Sequence, residues 1–231
     1  METCANVQGE DARAQEVAGA SLVAAVSYQI LLFVALVVRP ELDSSWQPIS
    51  EYAIGRLGWV TVVAFLLSAT SYLLLFLALR THTVARPGRV GLGLLLVCAI
   101  GTVGAGVFIS DPIQTPQNSL SPIVSVHVFS AGASLVLLPF AAVCINVSLA
   151  RTRLWRPKRR LLVVTAGLPL LGLLSFVVAM AMITPLGDAN MPQYGPGVSI
   201  GWPNRIVLLI YTTWTVALAW VLSRLGSSPD T

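Results

Sequence analysis

Six side chains in this 231-residue sequence are of the types from which polar chemistry is built, in a chain otherwise short of charge. Asp111 closes an apolar stretch in FISDP, His127 lies in SVHVFSAGAS, Arg205 in GWPNRI, and Ser50, Glu51 and Tyr52 are consecutive in PISEYA. A carboxylate beside an imidazole is a pairing used for proton transfer, the carboxylate orienting the ring and raising its basicity. On that pattern Asp111 and His127 are the expected acid–base residues, and Ser50 is the candidate for attack or deprotonation. Arg205 has the geometry to hold a phosphate or carboxylate through paired hydrogen bonds, with Tyr52 and Glu51 as further ligand contacts. No nucleophile-elbow motif surrounds Ser50, so binding without chemistry is equally open.

Metal and cofactor chemistry are not expected. Zinc hydrolase sites commonly take three protein ligands, often several histidines, whereas His127 and His82 (in RTHTVARPGR) fall on opposite sides of the chain's expected topology. Cys98 and Cys144 lie inside apolar runs and Cys4 near the start, which gives neither metal spacing nor a disulfide framework.

These groups are far apart in sequence, so their meeting depends on the elements that carry them. The composition is 55% hydrophobic and 10% charged, and the mean hydropathy is +0.79. Soluble domains average roughly 25% charged residues, and a water-facing surface cannot be built from so few. A bilayer core about 30 Å thick needs about 20 apolar residues per helix. Six runs qualify: residues 17–38, 58–79, 90–109, 125–149, 161–183 and 205–223. The expected fold is all-α and polytopic, with six transmembrane helices between an N-terminal tail (1–16) and a C-terminal tail (224–231). The acidic start, with Glu2, Glu10, Asp11 and Glu16 against Arg13, is the wrong charge for a signal peptide.

Lys and Arg are retained on the cytoplasmic side. Eleven of the fourteen lie in the two tails and in the second and fourth connections, six of them between Arg151 and Arg160. Both termini are therefore expected in the cytoplasm of a cell membrane, with connections 39–57, 110–124 and 184–204 outside. The net charge of +4 then marks topology, and no motif supports nucleic-acid binding. Trp46, Trp59 and Trp202 are expected in an outer aromatic belt, Trp155 and Trp220 in an inner one.

The outer connections are long and rich in Pro, Gly and Ser, and they hold Glu41, Asp43, Glu51, Asp111 and Asp188. A polar site is expected there, since ionisable groups at membrane depth usually face a bundle interior or cavity. His127, Ser130, Ala131 and Ser134 share one helical stripe. For the serines, close packing against small residues such as Gly101, Gly104 and Ala105 is the plainer reading. For His127 a site role and a hydrogen bond to a loop carbonyl stand level.

At these residues the chain resembles a family of six-span bacterial membrane proteins catalogued as domain of unknown function 998. The matching pieces are ISEYAIGRLGW before the second span, FISDP closing the third, His127 early in the fourth and GWPNRI opening the sixth. The resemblance implies a six-helix fold and carries Ser50, Tyr52, Asp111, His127 and Arg205 as family-like polar positions. Asn204 stands where an acidic residue would be expected before the final arginine.

Three classes of function remain. The first is an outward-facing site that binds a lipid headgroup or other amphiphile, with or without hydrolase or transferase chemistry on it. The second is a non-catalytic membrane subunit or sensor, with membrane lipids, a second copy or another membrane protein as partner. The third is a small-solute transporter. The middles of all six spans lack Asp, Glu, Lys, Arg and His, which disfavours ion-coupled transport, although Pro139 and Pro169 are places for kinks.

Overall fold

The computed structural model describes residues 2–83, 85–183, 195 and 199–225. Asp188 and the Cys4 side chain lie outside the described residues. Six helices follow one another: α1 (Glu2–Val38), α2 (Trp59–Leu79), α3 (Arg86–Val107), α4 (Pro122–Leu149), α5 (Arg159–Ile183) and α6 (Gly201–Ser223). All six are long and apolar enough to cross a membrane, and the chain is a multi-pass membrane protein. Each helix packs on the next and α6 packs on α1, so the six close into a ring. Gln15 Nε2 donates to the Leu225 carbonyl, which brings the two ends of the chain together at one end of the bundle. That end is called the termini end below, and the opposite one the mouth.

Five helices, all but α2, start earlier than the uncharged runs. Pro87 and Pro122 occupy the first turns of α3 and α4, where the fixed φ suits a helix and the missing N–H costs nothing. The sixth helix begins at Gly201, so Arg205 sits one turn inside it. The first is helical from Glu2 through most of the expected tail, because Ala, Gln and Glu favour helix whether or not lipid surrounds them.

The lateral surface is apolar, as the side facing lipid must be. Val23, Phe33, Ile100, Phe129, Val164, Leu171 and Met182 are among the exposed large side chains. Helices α3 and α4 approach most closely, through glycine: a Cβ on Gly88, Gly91, Gly101 or Gly104 would come within 2.5–2.8 Å of α4 atoms. Ser130 and Ser134 fill this seam, and Ser134 Oγ donates to the Cys98 carbonyl at 2.9 Å. Their role is packing.

Toward the termini end the interior is packed with large apolar side chains, and a cavity of about 280 Å³ opens beyond them beside Gln15, His82 and Leu222. Leu75, Leu79, Leu95, Ile145, Leu149, Trp214 and Leu222 are fully buried in one cluster. Asn146 ties three helices within it: its Nδ2 donates to the Leu162 carbonyl (2.8 Å) and to Thr165 Oγ1 (3.0 Å), and its Oδ1 accepts from Trp214 Nε1 (3.3 Å). Trp155 joins this core at 1% exposure. It is therefore not a belt residue, because the α4–α5 connection folds its ring into that core. Trp46 is buried likewise, whereas Trp59, Trp202 and Trp220 are exposed, as belt residues should be.

Candidate functional site

The mouth is shaped by the first connection, which is latched to the start of α6. Arg205 Nη1 donates to three carbonyls, those of Ser44 (3.0 Å), Gln47 (2.8 Å) and Gly201 (2.9 Å). Gly201 N–H donates to Ser45 O at 2.9 Å, an approach that only glycine permits, since a Cβ there would stand 2.3 Å from the Ser44 carbonyl. Asn204 Oδ1 accepts from Ile49 N–H at 3.0 Å. The guanidinium lies 5.1 Å from the centre of the Tyr52 ring, and Tyr52 OH donates to Leu42 O. Arg205 and Tyr52 thus hold a short 3₁₀ turn (Ile49–Ala53) over the bundle.

Asp111 organises the second connection. Its two carboxylate oxygens accept from Ser121 N–H (2.6 Å) and Ser121 Oγ (3.2 Å), which fixes the chain where α4 begins. Ile113 N–H donates to Glu51 Oε1 at 2.9 Å, joining the two connections across the mouth. His127 is 6% exposed, and its Nδ1 donates to the Phe108 carbonyl at 2.7 Å. A carbonyl only accepts, so Nδ1 carries a proton, and in the neutral ring Nε2 is left as an acceptor for another partner. The group that orients the imidazole is therefore the last turn of α3, through Phe108, and not the Asp111 carboxylate.

Below these connections is a cavity of about 410 Å³, within the usual range of about 300–1,000 Å³ for ligand sites. Ser50, Glu51, Asp111 and His127 line it near the mouth. Deeper, Phe65, Leu135, Phe176 and Leu208 make apolar walls, with the tyrosines Tyr28, Tyr72 and Tyr211 among them. Leu135 lies about 20 Å along α4 from Pro122, at 1.5 Å per residue, so the cavity reaches the middle of the bundle. One detail of its floor answers a sequence feature. Pro139 cannot donate to Leu135 O, the usual acceptor four residues back, and Tyr211 OH donates to that carbonyl instead at 2.7 Å.

Of the residues singled out in the sequence, Ser50, Glu51, Asp111 and His127 line one cavity, while Arg205 and Tyr52 stand beside it, Arg205 Nη1 and the Tyr52 hydroxyl bonded to the loop and Arg205 Nε and Nη2 buried without a hydrogen-bond partner. Among the described residues no hydrogen bond links Ser50, His127 and Asp111 to one another. Nor do three His, Cys, Asp or Glu gather closely enough to hold a metal ion. Burial raises the Glu51 carboxyl above its ordinary value, and the Ile113 N–H partly offsets this. The tyrosines were missed as site residues, because one tyrosine in an apolar helix reads as packing. Ser68 and Tyr72, four residues apart on α2 and both in the lining, were the available signal.

No curated protein and no solved structure matches the chain. A family model described as a protein of unknown function (DUF998) matches residues 22–221. That match covers all six membrane-spanning helices and both connections that build the mouth, and this chain belongs to the DUF998 family.

Proposed function

We propose that the protein binds an amphiphile, with the polar head among Ser50, Glu51, Asp111 and His127 and the apolar tail in the cavity beneath. The observation that carries this reading is the cavity's gradient, ionisable at one end and lined by Phe65, Leu135, Phe176 and Leu208 below. A small polar solute would gain nothing from those walls, whereas an alkyl chain gains about 0.8 kcal/mol per buried CH₂. The His127 Nε2 lone pair supplies an acceptor for a headgroup proton. This is a binding site first, since the described hydrogen bonds contain no relay from His127 to Ser50.

The test is extraction in mild detergent followed by mass spectrometry of retained lipids. Gly132 lines the cavity, and a Cβ there would meet nothing within 4 Å, so Gly132→Trp fills the space. Val23 is 66% exposed on the lateral surface, and Val23→Trp is the control for lipid held at the perimeter. Wild type and Val23→Trp are expected to retain a stoichiometric amphiphile that Gly132→Trp loses. Equal retention by all three would sink the reading.

The mouth faces the outside of the cell membrane in this proposal, with both termini cytoplasmic. The exposed basic residues of the α4–α5 connection, Arg151, Arg153, Arg156 and Lys158, support it by the retention of positive charge. In a background without native cysteines, Asn118→Cys should react with a membrane-impermeant thiol reagent in intact cells, and Lys158→Cys should be protected. The reverse pattern would invert the orientation.

A further inference from the structure

Resting on the amphiphile reading, we infer that the ligand's headgroup is a protonated amine, held at the mouth by Glu51 and Asp111 with His127 beside them. The sign of the lining carries this step. Apart from tyrosines, the ionisable residues lining the cavity are Glu51, Asp111 and His127, and no Lys or Arg is among the described lining residues. The described basic residues of this end stand outside the lining. Arg205 is outside the lining, its Nη1 bonded to three carbonyls and its Nε and Nη2 buried without a hydrogen-bond partner; Arg39 is paired with Glu41 and donates to Ile54 O, and Arg56 is exposed. A phosphate or carboxylate entering the cavity would meet two carboxylates and no cation.

The acceptors are also left with capacity. Glu51 is 6% exposed yet accepts one described hydrogen bond, on Oε1, which leaves its other oxygen to the cavity. His127, equally buried, keeps Nε2 free after Nδ1 is used by Phe108. A carboxylate held in so apolar a setting is costly until a cation pairs with it. An ammonium has three donors and no acceptor, which matches a rim whose uncommitted atoms at Glu51 and His127 are acceptors. A neutral hydroxyl group has one donor and would leave the carboxylate charge uncompensated.

Three probes with one tail and different heads separate the alternatives: dodecylamine, dodecanol and dodecanoate, titrated into the purified protein in a neutral maltoside at pH 7.5. The amine is expected to bind at least about tenfold tighter than either of the others, as a desolvated charge pair allows. Glu51→Gln keeps an oxygen for the Ile113 N–H and should erase most of that preference while dodecanol binding stays. Asp111→Asn gives a second reading should Glu51→Gln fold poorly, and thermal unfolding checks both. Equal binding of dodecanol, or tighter binding of dodecanoate, would overturn the amine head and leave the amphiphile reading standing. Failure of all three to bind would overturn both. Competition by phosphatidylethanolamine in the micelle would identify the amine as a lipid headgroup, and its absence would point to a free amphiphilic amine.

Discussion

The two halves of the bundle are built from the same six helices and are filled in opposite ways. Toward the termini, Trp214, Leu75 and Leu149 pack into one buried cluster, with a smaller hollow at the very end beside Gln15 and His82, and the polar Asn146 has its amide and carbonyl both satisfied. Toward the mouth the same helices enclose about 410 Å³, and the polar groups there, Glu51 and His127, keep free valences. A membrane interior gives helices little hydrophobic reason to associate, so close packing and polar ties must do it. The solid half and the glycine seam between α3 and α4 supply that cohesion. The mouth is thereby released from it and holds a cavity that would otherwise be a cost.

The largest expected effect tests whether the solid half bears the stability. Trp214→Ala should cost about 3–5 kcal/mol, as aromatic truncations in a packed core do, and lower the thermal midpoint in detergent accordingly. Leu208→Ala, which enlarges an existing cavity wall, should cost under about 2 kcal/mol because fewer packed atoms lose partners. Equal costs would break the contrast. Next comes the latch. Arg205→Met strips three carbonyls of a charged donor and should cost about 1.5–3 kcal/mol, with loosening of the first connection visible as faster amide exchange at residues 44–54.

The smallest effect is a pH slope. Burial holds the folded-state Glu51 carboxyl above its ordinary value. The neutral form therefore suits the folded protein. Stability from this group is complete below the unfolded value and is lost as pH rises through the raised folded one. Glu51→Gln should flatten that decline on the alkaline side of the ordinary carboxyl range, seen as a thermal midpoint that no longer drops with pH, whereas Trp214→Ala should shift the curve without changing its slope.

Much of the fold was legible because its causes are local. Uncharged runs of about twenty residues can only be spans in so apolar a chain, and their number and the family followed. Their ends were less legible: residues 90 and 125 mark where charge or polarity stops, but Pro87 and Pro122 start the helices. The site was half legible. Ser50, Glu51, Asp111 and His127 meet because their segments emerge at one end of the bundle, which span counting alone predicts.

Arg205, Tyr28, Tyr72 and Tyr211 were not legible as what they are. An arginine whose partners are the backbone carbonyls of Ser44 and Gln47 leaves no pattern in side-chain types, since every residue has a carbonyl. Tyr211 fills the place left by Pro139 on another helix, a pairing set by how α4 and α6 cross. By itself, then, the sequence determined solvent, helix number and the end at which the polar groups gather, because hydropathy and charge act residue by residue along the chain. Only the tertiary structure decided which of those groups are spent on the backbone and which face empty space, because that depends on close contacts between residues up to 160 positions apart, such as Arg205 and Ser44.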